Sequence, residues 1–249
     1  SMSHSIFGTF VTTPLYNGIV LLMQALPWAD LGVIVIVFTC VIRLILFPIA
    51  QKSVRTQLMV QKLQPEMDAI KEKYKNDKEG QAVKMMELYR NNKVNPFSNI
   101  LFLFIQIPII FGLYFMVLRA GFPAIDPTFL YSFVDAPSHI NTMFLGLVDV
   151  TVRSIPIAIL AGVSQFFQAK LMRVPETKKD TKPSFGNEFS KSLQFQMKYI
   201  FPVVIVFIAS ALPASVALYW TTSNLFSIGQ EWWTRKKITA ENQQPTTNN

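Results

Sequence analysis

From Tyr199 to Gln230 the chain carries no charged residue. A single helix of that length would reach roughly 50 Å, against about 30 Å for the hydrocarbon core of a bilayer. Pro213 stands near its centre, Lys198 precedes the block, and Arg235, Lys236 and Lys237 follow it. Lys and Arg beside a membrane segment mark its cytoplasmic end, so a block flanked by them on both sides must cross twice. The block is therefore predicted as two spans, 197–212 and 214–230, and this parity orders everything before it.

Only 15% of the 249 residues are charged, well under the quarter or so of soluble domains. Further apolar runs predict spans at 31–50, 97–118 and 154–172. Asn95-Pro96 supplies a cap and first-turn proline for the second of these. Pro48 near the end of the first is tolerable where water or a neighbouring helix meets the carbonyl it frees. Residues 51–96 differ sharply, with ten basic residues against six acidic ones between Gln51 and Asn95. Leu58, Leu63, Met67, Ile70 and Tyr74, then Val83, Met86 and Tyr89 recur at helical spacing, broken at Asn76-Asp77 and Gly80. The pattern predicts a cytoplasmic helical hairpin.

The 173–196 loop is basic and flexible. The 119–153 loop holds two basic and three acidic residues, and nothing basic precedes Arg43. These counts give an all-α membrane protein of five transmembrane helices, N-terminus outside and C-terminus cytoplasmic. A turn or short helix is expected around Phe144–Val150. Residues 1–30 form an outer segment, in which Ile6–Pro27 is expected to lie at the interface as an amphipathic helix anchored at Trp28, or to spend part of its length in the membrane. The leading Ser1-Met2 reads as a tag-cleavage scar, with no signal peptide after it. Residues 231–249 make a basic tail with a polar, disordered end.

Arg43 is the one charge deep inside a predicted span, where an isolated guanidinium costs about 3 kcal/mol on insertion scales. The orientation places it in the cytoplasmic half, together with Gln106 (on one helical face with Asn99), then Ser164, Gln165 and Gln168, and Thr221, Thr222, Asn224 and Ser227. The outer halves stay apolar. This describes a water-filled recess open to the cytosol. A through-pore would need polar side chains at every depth.

No HExxH, GxSxG or intramembrane Asp pair is present, and Cys40, His4 and His139 form no catalytic or metal-ligating set. The expectation is a protein that is not an enzyme, with no cofactor and no metal. A small-solute or anion transporter using Arg43 is the rival reading, opposed by the lack of internal repeats and the one-sided polarity. An assembly factor that translocates nothing is a third.

Five stretches carry a resemblance: FTCVIRLILFPIA at 38–50, the hairpin QLMVQKLQPEMDAIKEKYKND ending at 77, MELYRNNKVNPFSNILFLFIQIPIIFGLY at 86–114, QFFQAKLM at 165–172 and PASVALYWTTSNLFSIGQ at 213–230. In order and spacing the chain, from Pro14 to Gln230, resembles the YidC/Oxa/Alb family of membrane protein insertases, in a bacterial form without the large outer domain of some members. The resemblance implies five helices around a hydrophilic groove open to the cytoplasm and to lipid. It implies a groove of Arg43, Thr39, Gln106, Gln165, Gln168, Thr221, Thr222 and Asn224, and a hydrophobic slide of Ile155, Ile159, Phe166, Leu218, Tyr219 and Trp220. It also implies a client-capturing hairpin that includes Pro65, Lys73, Tyr74 and Gly80. The implied function is to insert and help fold nascent membrane proteins in the bacterial cytoplasmic membrane without ATP hydrolysis. The implied partners are nascent chains, the ribosome and the lipid bilayer, with or without the Sec translocon, and no nucleic-acid sequence is read.

Overall fold

The computed structural model describes residues 6, 8–95, 107–112, 114–115, 124–171, 192 and 195–243. The fold is mainly helical. A π-turn at Gly8–Thr12 leads into α1 (Thr13–Ala25), followed by α2 (Leu31–Ile45), α3 (Phe47–Lys73) and α4 (Lys78–Asn91). A two-stranded hairpin, β1 (Met143–Phe144) and β2 (Val148–Asp149), precedes α5 (Ile155–Leu171), α6 (Phe201–Ala211) and α7 (Ala214–Gln243). Most of the predicted 97–118 span, Gln106 included, lies outside the described residues, which show helix at 107–112 and 114–115. Most of the 173–196 loop and the end of the tail lie outside them too.

The apolar helices assemble into one core. α7 packs against α5 and α2, and α5 packs against α6. The centre is built from Ile34, Val35 and Phe38 of α2, Ile157, Ala158 and Ala161 of α5, Ile205 and Ala209 of α6, and Ala217 and Leu218 of α7. Small residues allow the helices to approach closely, as expected where lipid supplies no hydrophobic drive between helices. Gly162 shows the limit: a Cβ there would overlap the Val206 side chain and stand 2.9 Å from the Pro202 carbonyl oxygen.

Outward, the same helices are apolar as well. Phe207 of α6 and Ile155 of α5 are 72% and 63% exposed, and Leu160, Phe167, Val203, Leu44 and Ile45 also face out. A helix that is apolar on all sides suits lipid rather than water. Among the described residues no single helix is both long and apolar enough to cross a membrane alone. α2 and α3 pass that test together, bent by 64° across Leu46. The predicted 31–50 helix therefore ends early. Pro48 cannot donate a helical hydrogen bond and is tolerated in a first turn, so it starts α3 instead of closing α2. The Phe47 carbonyl at this elbow accepts from Gln230 Nε2 at 3.1 Å.

The break at Pro213 falls where the sequence places it, between α6 and α7. The N-terminal helix is tied into the bundle. Tyr16, Asn17, Ile19 and Val20 are fully or almost fully buried, so one face of α1 belongs to the core. Asn17 decides this: its Nδ2 donates to the Phe129 carbonyl and its Oδ1 accepts from the Tyr131 amide, both at 2.8 Å. Tyr16 adds a bond from the Asp126 amide to its hydroxyl, also 2.8 Å.

The 124–152 loop continues this role. Of the turn or short helix expected at Phe144–Val150 it forms the turn, within the β1–β2 hairpin, with Leu145 and Gly146 at positive φ of 51° and 71°. Its carbonyls meet the amides that helix starts leave unpaired. Leu31 donates to Asn141, Ala214 to Val152 and Ser215 to Val150, at 2.7–2.8 Å. Asp30 caps α2 through Val33 at 3.0 Å and also accepts from Leu145 at 3.1 Å. One end of the bundle is thus covered by loop backbone bonded to three helices.

The hairpin α3–α4 carries its own small core of Leu63, Met67, Leu88 and Val94. Val83 and Met86, predicted for that inner face, point outward, and Met85 with Leu88 takes their place. Tyr89 Oη reaches Met67 Sδ at 3.7 Å. Asp77 caps α4 by accepting from Gly80 N at 2.9 Å, and Gly80 matters because a Cβ there would overlap the Asp77 carboxylate. Gly80 therefore belongs to the first turn of α4 and not to the break itself. Pro65 sits inside α3 on its exposed side, and Lys73 Nζ lies 5.8 Å from the Tyr74 ring at the turn.

Candidate functional site

Arg43 lies near the C-terminal end of α2 and is only 6% exposed. Its Nε donates to Ser223 Oγ of α7 at 2.9 Å, and Nη2 donates to the same oxygen. Ser223 in turn belongs to a row on α7, Tyr219, Ser223, Ser227 and Gln230, spaced at four, four and three residues and so on one face. That row faces α2 and the start of α3.

Where α2 gives way to α3 a recess of about 110 Å³ opens, lined by Arg43, Ala50, Ser53, Val54, Gln57, Gln168, Ser227, Gln230 and Glu231. This is ample for several water molecules, for which about 15 Å³ measured in this way is enough for one. Glu231, buried at 5% exposure, accepts from Arg235 Nε at 3.0 Å and Nη2 at 2.6 Å through a single oxygen, Oε1. A second hollow of about 490 Å³ lies at the opposite end of the bundle, between α1 and the 137–141 loop, lined by residues including Trp28, Ile34 and His139. Between the two along α2 stand Val35, Phe38 and Thr39, all buried.

The predicted groove residues divide accordingly. Arg43 and Gln168 line the recess. Gln165 and Asn224 instead join α5 to α7: Gln165 Oε1 accepts from Trp220 Nε1 and Asn224 Nδ2, each at 3.2 Å, and Asn224 also donates to Ser164 Oγ at 3.0 Å. Thr39, Thr221 and Thr222 each donate to the carbonyl four residues back, at 2.6, 2.9 and 2.8 Å. This is the ordinary way for a helical hydroxyl to be satisfied away from water. Thr39 is fully buried and lines neither hollow. Gln106 lies outside the described residues.

The predicted slide divides too. Ile155 and Ile159 face outward from α5 and Phe166 is half-buried, its ring 6.1 Å from that of Tyr199. Leu218 and Tyr219 are buried in the core and the Trp220 indole is held by Gln165. Three consecutive helical residues fan over about 200°, so Leu218, Tyr219 and Trp220 cannot share one outward face. The exposed apolar strip is made by α5, with Leu160, Val163 and Phe167 beside the two isoleucines.

Ser223, Gln57, Gln230 and Glu231 have no counterpart among the residues predicted for the groove. The row from Tyr219 to Gln230 at helical spacing was the available signal for Ser223 and Gln230. Glu231 lay just beyond the predicted span and Gln57 within a segment assigned wholly to the hairpin.

Among the described residues no group of three or more His, Cys, Asp or Glu side chains is placed to hold a metal ion. Lysines sit over aromatic rings on two segments of the bundle. Lys236 and Lys237 sit 5.4 Å from the rings of Trp232 and Trp233, and Lys198 sits 5.2 Å from Tyr199. Such aromatic–basic pairs suit a membrane–water interface.

The sequence profile of a family described as 60Kd inner membrane protein matches residues 22–242. A protein of Fusobacterium nucleatum named membrane protein insertase YidC is 33% identical over 208 residues, covering 84% of this chain and 87% of its own length. Proteins of the same name from Pelobacter propionicus and Francisella tularensis subsp. novicida are also 33% identical, over 209 and 201 residues. The chain spans 35% and 32% of those two relatives, about a third of their length.

Proposed function

The chain belongs to the 60Kd inner membrane protein family, and on that premise we propose that it inserts nascent membrane proteins into the bacterial cytoplasmic membrane, using the Arg43 recess to receive their polar segments. The observation that carries this reading is a guanidinium 6% exposed at the head of a recess large enough for water. Moving a polar segment through an apolar slab is limited by dehydration. A recess entering from one side shortens the dry path, and Arg43 attracts acidic groups on the client. The client's apolar helix then leaves sideways along the exposed face of α5, driven by burial in lipid at about 25 cal/mol per Å². No nucleotide motif is present in the sequence, so partitioning and the membrane potential supply the energy. The α3–α4 hairpin captures the client as it leaves the ribosome, with or without the Sec translocon.

In this reading the chain crosses the membrane five times, with the Trp232–Trp233 level at the cytoplasmic interface and the loop-covered end outside. Gln165, Asn224 and the threonines hold helices in place, and Gln57, Gln168 and Ser227 wet the recess.

The test is reconstitution of the purified protein into vesicles with a single-span client whose short translocated segment is acidic, scored by protease protection. Insertion that depends on the protein supports the reading, and its absence overturns it. Uptake of small anions by the same vesicles, without client insertion, would favour transport instead.

A further inference from the structure

The recess holds two opposite charges at two depths. Arg43 is fixed at the level of Ser223, and Glu231 lies eight positions further along α7, about 12 Å at 1.5 Å per residue. Both side chains line the same space. Glu231 adjoins the tryptophans that carry the interface lysines, so it stands at the headgroup level while Arg43 stands well inside. Arg235 uses only Oε1 of the Glu231 carboxylate, and Oε2 has no hydrogen-bond partner among the described residues. A buried carboxylate with one oxygen engaged and the other on a water-sized recess has capacity for one more cation.

We propose that Glu231 is a specificity-determining residue, receiving the basic side chains that flank a client's apolar segment on the cytoplasmic side while Arg43 receives acidic groups ahead of it. This rests on the insertase reading and names its substrate class: segments with an acid in front and a lysine or arginine behind, about 12 Å apart along the recess. Such a pair matches the client's charge order to the direction of insertion. Gln230, which holds the elbow carbonyl beside it, fixes the mouth against which the basic flank docks.

The experiment uses two clients that differ in one respect, lysine or glutamine behind the apolar segment, in vesicles of zwitterionic lipid held at one imposed membrane potential. The intact protein should insert the lysine-flanked client better, and Glu231→Gln should reduce that preference about threefold, within the range expected for one ion pair bordering water. Equal loss with both clients, or no change in the ratio, overturns the proposal. Arg235→Gln keeps the carboxylate and removes its competitor, so the lysine preference should widen, and this variant decides the matter if Glu231→Gln fails to fold. A preference that narrows in Arg235→Gln overturns it as well. If the unaltered protein inserts neither client, the functional reading itself fails and this inference falls with it, an outcome separate from a working insertase with no charge preference.

Discussion

The two ends of the bundle bury polar groups in opposite ways. At the end covered by residues 124–152, Asn17, Tyr16 and Asp30 spend their hydrogen bonds on loop backbone, and the loop's carbonyls cap α2 and α7. At the other end Arg43 shares one serine oxygen while Gln57, Gln168 and Ser227 border open space. Residue types are similar in both places. What differs is whether each polar group meets a fixed partner or room for water. The first arrangement closes a helix bundle, and the second leaves room for water within it.

The largest effect is expected from breaking the closed end. Asn17→Leu leaves the Phe129 carbonyl and the Tyr131 amide without their partner, a loss of about 2–6 kcal/mol at 1–3 kcal/mol per orphaned group. Thermal unfolding in detergent should show it, while thiol labelling of Gln57→Cys (with Cys40 replaced) stays unchanged if the two ends are independent. Lost protection at Gln57→Cys would mean that they are coupled.

At the open end, Arg43→Ala should reduce insertion of acid-bearing clients on the order of tenfold, the effect of losing about 1.4 kcal/mol of attraction. Arg43→Lys against Arg43→Gln then sharpens the point. Recovery with lysine alone assigns the effect to charge, and recovery with glutamine assigns it to the water held there. Asn224→Ala tests the seam between α5 and α7 at about 1 kcal/mol, an ordinary value for an interhelical hydrogen bond in a membrane. Insertion should be nearly unchanged, and a loss as large as that of Arg43→Ala would return Asn224 to the recess.

The smallest effect concerns acid. Asp149 and Asp126 are held below the usual carboxylate range, first by the hydroxyls of Thr151 and Thr128 and then by their amides. A carboxylate lowered in the folded state stabilises above its unfolded value of about 3.9, and that contribution fades as pH falls through the folded value. Both carboxylates are half-buried at the surface of the loop, where water screens them, so the change is small. Hydrogen exchange at pH 3 against pH 6, corrected for intrinsic rates, should show the 124–152 loop loosening before the recess lining.

The sequence exposed those features that follow from length and breakers. Pro213 marks the α6–α7 boundary, and Asn76-Asp77 marks the turn of the hairpin. Arg43 was conspicuous because a charge has no cheap place in an apolar run. Three features were harder to read, each for a physical reason. Asn17 looks like an interruption of an interfacial helix until the loop backbone more than a hundred residues away is known. Thr39, Thr221 and Thr222 look like groove-lining groups, yet a helical hydroxyl can satisfy itself on its own turn and then says nothing about water. Leu218, Tyr219 and Trp220 form an apolar triplet in sequence, but helical geometry sends them to different neighbours. Ser223 was hidden among polar residues that differ from it only in facing.

The elbow at Leu46 also sets a mechanical ratio. α3 runs 27 residues from that point, roughly 40 Å at 1.5 Å per residue, whereas Arg43 lies within one turn of it. A tilt of about 10° at Phe47 would sweep the hairpin tip through roughly 7 Å and shift the arginine by well under 1 Å. The hairpin is thus a long lever on a short fulcrum, pinned by Gln230. Its far end can swing widely while the charge at its base holds its position.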